Sequence, residues 1–106
     1  MNEEIEAILI GQLDDIDIDT VENFEHEDID YAIFHLNSGF YATQGHCTCE
    51  EQAYLSEASI NGEELECASC SKTFSIVSGD AISDPEIESL KIYDVSEIDG
   101  NLYLHL

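Results

Sequence analysis

The sequence predicts an all-β fold. The apolar runs are of strand length, turn signals interrupt them at short intervals, and helical periodicity is weak throughout. Many short strands with frequent turns point to a sandwich or a partly open barrel. With 106 residues the chain is long enough for one domain with a modest core. Its apolar fraction of 43% is that of a globular protein, so a disordered chain is not expected despite the charge.

The elements follow in order. Glu6–Ile10 is the first strand. Residues 11–20, with Asp14, Asp15, Asp17 and Asp19 set between isoleucines, form a loop or short turn that leads to Val21–Glu25. Tyr31–Leu36 reads as a half-buried strand, Asn37-Ser38-Gly39 as its turn and Phe40–Thr43 as the returning strand of a hairpin. Asn61-Gly62 is a two-residue hairpin signal, because both central positions of such a turn need positive φ. It separates Ala58–Ile60 from Glu63–Glu66. Thr73–Val77 follows and ends at Ser78-Gly79-Asp80. Leu90–Val95, a turn at Asp99-Gly100-Asn101 and Leu102–Leu106 close the chain. The one plausible helical piece lies around Glu50–Leu55 and is short.

The charge excludes several classes of partner. There are 25 acidic residues against two lysines, Lys72 and Lys91, and no arginine, for a formal net charge of −23. Nucleic acid is not an expected partner, because phosphate contacts need cationic side chains. An anionic membrane surface is disfavoured for the same reason, and no apolar stretch is long enough to span a bilayer. A basic protein partner would be attracted; salt adaptation explains the same surface equally well. The acidic start Met1-Asn2-Glu3-Glu4 lacks the basic region of a secretory signal, so a cytoplasmic location is expected. Thiols stay reduced there, and four cysteines then suggest metal or redox chemistry before structural disulfides.

The cysteines form two clusters. Cys47-Thr48-Cys49 is C-x-C, Cys67-Ala68-Ser69-Cys70 is C-x-x-C, and residues 50–66 separate them. Each cluster directly follows an expected strand, which would set two loops side by side at one end of a sheet. Four thiolates suit a 2Fe–2S cluster, with two cysteines per iron, or one tetrahedral zinc ion. The one-residue spacer and the absence of glycine beside either pair lean toward the cluster and leave zinc as the alternative.

Beyond the cysteines, the chain resembles the bacterial Rieske-type ferredoxins that serve multicomponent ring-hydroxylating dioxygenases. That family carries C-x-H and, further on, C-x-x-H. The matching segments here are Gly39–Cys49, ending in His46-Cys47-Thr48-Cys49, and Glu64–Cys70. Phe74 stands where the family has an aromatic residue after the second loop. Ser78-Gly79-Asp80-Ala81 and Pro85 are similar to its third, proline-bearing loop. Leu90–Tyr93 and Ile98-Asp99-Gly100 fit its last hairpin. The likeness is specific over residues 39–85 and looser before residue 30.

The resemblance implies a Rieske-like antiparallel β-sandwich with a small cluster-binding subdomain. It implies one domain over residues 1–106, with cluster-binding loops at about 43–85. Both histidine ligand positions are cysteine here, at Cys49 and Cys70. Carried over, Cys47 and Cys67 would hold the inner iron, and Cys49 and Cys70 the outer one. Matched replacement at both positions of one iron implies retained binding rather than decay. The expected role is an electron carrier, not an enzyme, that passes electrons from a flavin-type reductase to a terminal oxygenase. The competing expectations are a structural zinc module that mediates protein interaction and, behind it, an iron–sulfur or thiol sensor with a labile cluster.

Other residues carry less. His46 adjoins Cys47 and is expected to be a partly exposed loop residue. His26, His35 and His105 have no ligand-like spacing. Asp15-Ile16-Asp17-Ile18-Asp19 resembles the start of a calcium loop, but Thr20 and His26 occupy its glycine and glutamate positions. No nucleophile elbow, phosphate loop or Ser-His-Asp order is present.

Overall fold

The computed structural model describes residues 7–48, 53–83 and 88–105. Strands β1 (Ala7–Gln12), β2 (Thr20–His26), β3 (Ile29–Leu36), β4 (Gly39–Gln44), β8 (Ile92–Ile98) and β9 (Asn101–His105) form a six-stranded antiparallel sheet. Its order is β1-β9-β8-β4-β3-β2. Strands β5 (Ser59–Asn61), β6 (Glu64–Glu66) and β7 (Thr73–Ser75) form a second, three-stranded sheet. The β4–β8 junction is narrow: Ala42↔Tyr93 and Thr43↔Ile92 are paired, and the Gln44 N–H donates to Lys91 O at 2.9 Å beside them. The large sheet therefore curls into two layers, as expected for a sandwich.

Strand β3 lies between two cores. Successive side chains of a strand point to opposite faces. Tyr31 and Ile33 pack with Ile16, Ala42, Leu102 and Leu104 inside the curled sheet. Ala32, Phe34 and Leu36 face Leu65, Phe74, Ile76 and the buried cysteines Cys47 and Cys67. The half-buried reading of this strand is corrected: Tyr31, Ala32, Ile33 and Phe34 are all 4% exposed or less. The small sheet covers the face that would otherwise meet water. Each fully buried large side chain here contributes about 1.5–3 kcal/mol.

The turns explain where other boundaries moved. At β5–β6, Asn61 pairs with Glu64, so the loop residues are Gly62 and Glu63 rather than Asn61 and Gly62. Gly62 has φ +65°, and Glu63 is not among the positive-φ residues. At β8–β9, Asp99 and Gly100 have φ +53° and +81° and form a two-residue loop; Asn101, expected in the turn, already pairs with Ile98 as the first residue of β9. At β2–β3, Glu27 and Asp28 take φ +54° and +69° without any glycine. Strand β7 stops at Ser75 instead of Val77. A left-handed turn at Gly79, φ +83°, then brings the backbone against Leu90 with no room for a Cβ. The helical piece is a single 3-10 turn at Leu55–Glu57; residues 50–52 of the expected helix lie outside the described residues.

Candidate metal centre

The first cysteine loop leaves β4 under tight constraint. The Gly45 N–H donates to Asp30 O at 2.9 Å. A Cβ on Gly45 would stand 2.6 Å from the Asp30 backbone, so only glycine allows this approach. Gln44 acts as a clamp: its Nε2 donates to His46 O at 2.7 Å, and its Oε1 accepts from the Lys91 N–H at 2.8 Å. The loop then returns on itself. The Cys47 N–H donates to Ala53 O at 2.9 Å, and the Leu55 N–H to Gly45 O at 2.8 Å. Leu55 anchors the return in the core with no exposed surface. Cys49 and Pro85 lie outside the described residues.

The second loop joins β6 to β7. The Cys67 N–H donates to Lys72 O at 2.9 Å, and the Ser71 N–H to Cys67 O at 3.1 Å. Ser71 turns the chain with φ +62°. The Ser69 N–H points at Cys67 Sγ, 3.4 Å away. Such N–H groups favour a thiolate and tune a metal bound to it. The third loop packs alongside, with the Ile82 N–H on Thr73 O at 2.8 Å and the Thr73 N–H on Ser83 Oγ at 3.0 Å. Thr48 Oγ1 donates to Glu88 O at 2.8 Å and so ties the first loop to the chain beyond the third.

These loops bring together the sulfurs of Cys47, Cys67 and Cys70, all within 4.8 Å of one another. Cys47 and Cys67 are each 2% exposed, and Cys70 is half-buried. The Cys47 and Cys70 sulfurs are 3.7 Å apart. The donor set is soft thiolate, which suits an iron–sulfur cluster or zinc and does not suit calcium or magnesium. Among the described residues, this is the group of sequence-predicted ligands that the fold gathers.

His46 is not in that group. Its ring lies 4.4 Å from the Tyr54 ring, and its Nε2 is 3.6 Å from Asp30 Oδ2. His35 stacks on Phe40 and bonds Ile16 O; His105 bonds Ser96. His35 and His105 thus tie strands to their neighbours. Gln44, Gly45 and Asp30 were not visible as site-building residues in the sequence, because each acts through a partner distant along the chain.

A curled six-stranded sheet with a small second sheet, and a group of three cysteines where the loops after β4 and β6 meet, define a Rieske-like fold with a candidate metal site. No protein-family model matches the chain. It is 31% identical over 70 residues to the biphenyl dioxygenase ferredoxin subunit of Pseudomonas sp. (strain KKS102), covering 66% of this chain and 64% of that protein. The match thus spans just under two thirds of that relative's length. It is 32% identical over 76 residues to the 3-phenylpropionate/cinnamic acid dioxygenase ferredoxin subunit of Photorhabdus laumondii, covering 71% of each. Among solved structures, a complex of reduced oxygenase and oxidized ferredoxin in carbazole 1,9a-dioxygenase gives a TM-score of 0.86 at 24% identity, covering 93% of this chain and 92% of the matched one. The chain belongs to the Rieske-type ferredoxin subunits of ring-hydroxylating dioxygenases. Its relatives are electron-carrier subunits, not the catalytic component.

Proposed function

We propose that this chain is a one-electron carrier with a 2Fe–2S cluster on Cys47, Cys49, Cys67 and Cys70. In this reading the chain is one domain, and the loops at about 43–85 carry the cluster. It takes an electron from a flavin-type reductase and passes it to a terminal oxygenase in the cytoplasm. The observation that carries the reading is the convergence of three cysteine sulfurs within 4.8 Å on the loops of a Rieske-like frame. The fourth thiolate is Cys49, adjacent in sequence to the first loop's anchored residues. When bound, the cluster would supply a site that gains and loses one electron. The chain's own contribution is to bury two of the ligands, orient them by backbone hydrogen bonds and set their charge. The acidic surface would steer a basic partner toward it. Among the described residues no helix is long and apolar enough to cross a membrane.

One distance favours a second reading. Zinc–sulfur bonds of about 2.3 Å in a tetrahedron put neighbouring sulfurs about 3.8 Å apart, close to the 3.7 Å between Cys47 and Cys70. A structural zinc module on the same fold fits that edge. The family membership weighs against it, since the relatives are ferredoxin subunits.

Iron, sulfide and zinc analysis of protein purified without oxygen, with its visible spectrum, separates the two. Equal iron and sulfide, two of each per chain, with red-brown colour, is the expected result. One zinc, no colour and failure of anaerobic reconstitution would overturn the electron carrier.

A further inference from the structure

The same sulfurs differ in their reach, and that difference assigns them separate roles toward an oxidant. Cys47 is 2% exposed and lies beneath the loops. Cys67 is also 2% exposed, and its Sγ accepts the Ser69 N–H at 3.4 Å. Cys70 is half-buried and is the described thiol that a dissolved molecule can approach. Its sulfur stands 3.7 Å from that of Cys47. A disulfide closes at about 2.05 Å, so the pair needs only a small shift. Cys70 sits in the turn of residues 67–72, where Ser71 already takes a left-handed φ of +62°.

We propose that Cys70 and Cys47 are a thiol-oxidation site that forms an intramolecular disulfide whenever the loops hold no metal. The inference rests on reading these loops as metal-binding, and it holds whether the metal is iron or zinc. The oxidant is a small dissolved disulfide of the glutathione class. The Cys70 thiolate attacks one of its sulfurs, forming a mixed disulfide and releasing one glutathione thiolate, which takes up a proton. The buried Cys47 thiolate then attacks the Cys70 sulfur. The protein disulfide forms, the mixed bond breaks and the second glutathione leaves. Two protein thiols have lost two electrons and two protons, and the two glutathiones have gained them. Exchange of this kind depends on access and on which sulfur is attacked, and here exposure puts Cys70 first and Cys47 second.

The consequence is a switch on metal loading. The disulfide removes two of the ligand sulfurs and ties the first cysteine loop to the second. Metal uptake would then require a thiol reductant. A loaded site would be protected, because its sulfurs are bound to metal.

The test uses the full chain, stripped of metal and reduced, then exposed to oxidised glutathione. The expected product is monomeric and lighter by two hydrogen atoms; after alkylation of the remaining thiols and cleavage at glutamate, fragment spectra of the linked peptides should place the bond on Cys47 and Cys70 and the alkyl groups on Cys49 and Cys67. Cys47→Ser should trap glutathione on Cys70, and Cys49→Ser should leave the cross-link unchanged. Dithiothreitol should restore uptake of iron or zinc. A cross-link involving Cys67 or Cys49, a scrambled mixture, or glutathione adducts on the unsubstituted chain would overturn the inference. Those outcomes leave the cluster reading intact. Conversely, a zinc-only result in the metal analysis would remove the carrier and leave this disulfide standing.

Discussion

At the scale of single residues, the site is governed by what each ligand adds in charge. Thiolates add one negative charge each, and neutral imidazoles add none. For the proposed four-thiolate cluster, Cys49→His together with Cys70→His should therefore raise the reduction potential from about −400 mV into the range of about −150 to +300 mV. Protein-film voltammetry checks this, and an unchanged or lower potential would contradict the four-thiolate assignment. Gly45 makes a second, purely steric prediction. Its alanine variant would place a methyl group 2.6 Å from the Asp30 backbone, and should cost about 1–3 kcal/mol, read as a lower urea midpoint. Tyr93 makes a third. Burial pushes its phenol above the ordinary value of 10.0, so the folded state favours the neutral form. That contribution is fully present below the unfolded value and is lost as pH rises through the raised one. Tyr93→Phe should flatten the fall in urea midpoint on the alkaline side. Cys47, Cys67 and Cys70 were legible as one group because their paired spacing is local. Gln44 was not, since its clamp closes on Lys91, 47 positions away.

At the scale of elements, the strands were legible and the turns only in part. Apolar runs of strand length, bounded by turn signals, located β3, β4 and β9. The Asp99-Gly100 loop was visible for a chemical reason: glycine takes positive φ without a Cβ clash. Glu27-Asp28 carries no such mark, yet both residues are left-handed. Pairing along the whole of β2 and β3, from Thr20↔His35 to His26↔Ile29, holds them there. The strain of a non-glycine residue in this region is about 1–2 kcal/mol. Replacing Glu27-Asp28 with Asn-Gly, which prefers this turn, should therefore stabilise the protein by about 1–2 kcal/mol. A rise in thermal midpoint checks it, and a fall would show that the turn relies on side-chain contacts instead.

At the scale of the whole molecule, the charge of −23 opposes its own compactness. Raising ionic strength shortens the range of that repulsion to about 8 Å at physiological salt. Sodium chloride should therefore raise the thermal midpoint of the isolated protein while it slows association with a basic partner. Opposite signs for the two effects are the signature; slowing without stabilisation would place the acidic residues at the docking face alone. Composition made this property legible before any fold was known. The two-core arrangement was not legible, because a strand covered on one face and a strand covered on both differ here only by what packs on Ala32, Phe34 and Leu36.

Strand β3 shares those two cores, and its amide protons report on both. Phe34 and Ile33 face opposite sides, and each is 1% exposed or less. Neither the small sheet nor the curled layer can open without uncovering one of them. The β3 amides should then exchange with deuterated water only through the largest unfolding event of the chain, together with Leu65 and Leu104 on either side. Filling the thiolate site, although it touches only one core, would slow exchange in the other.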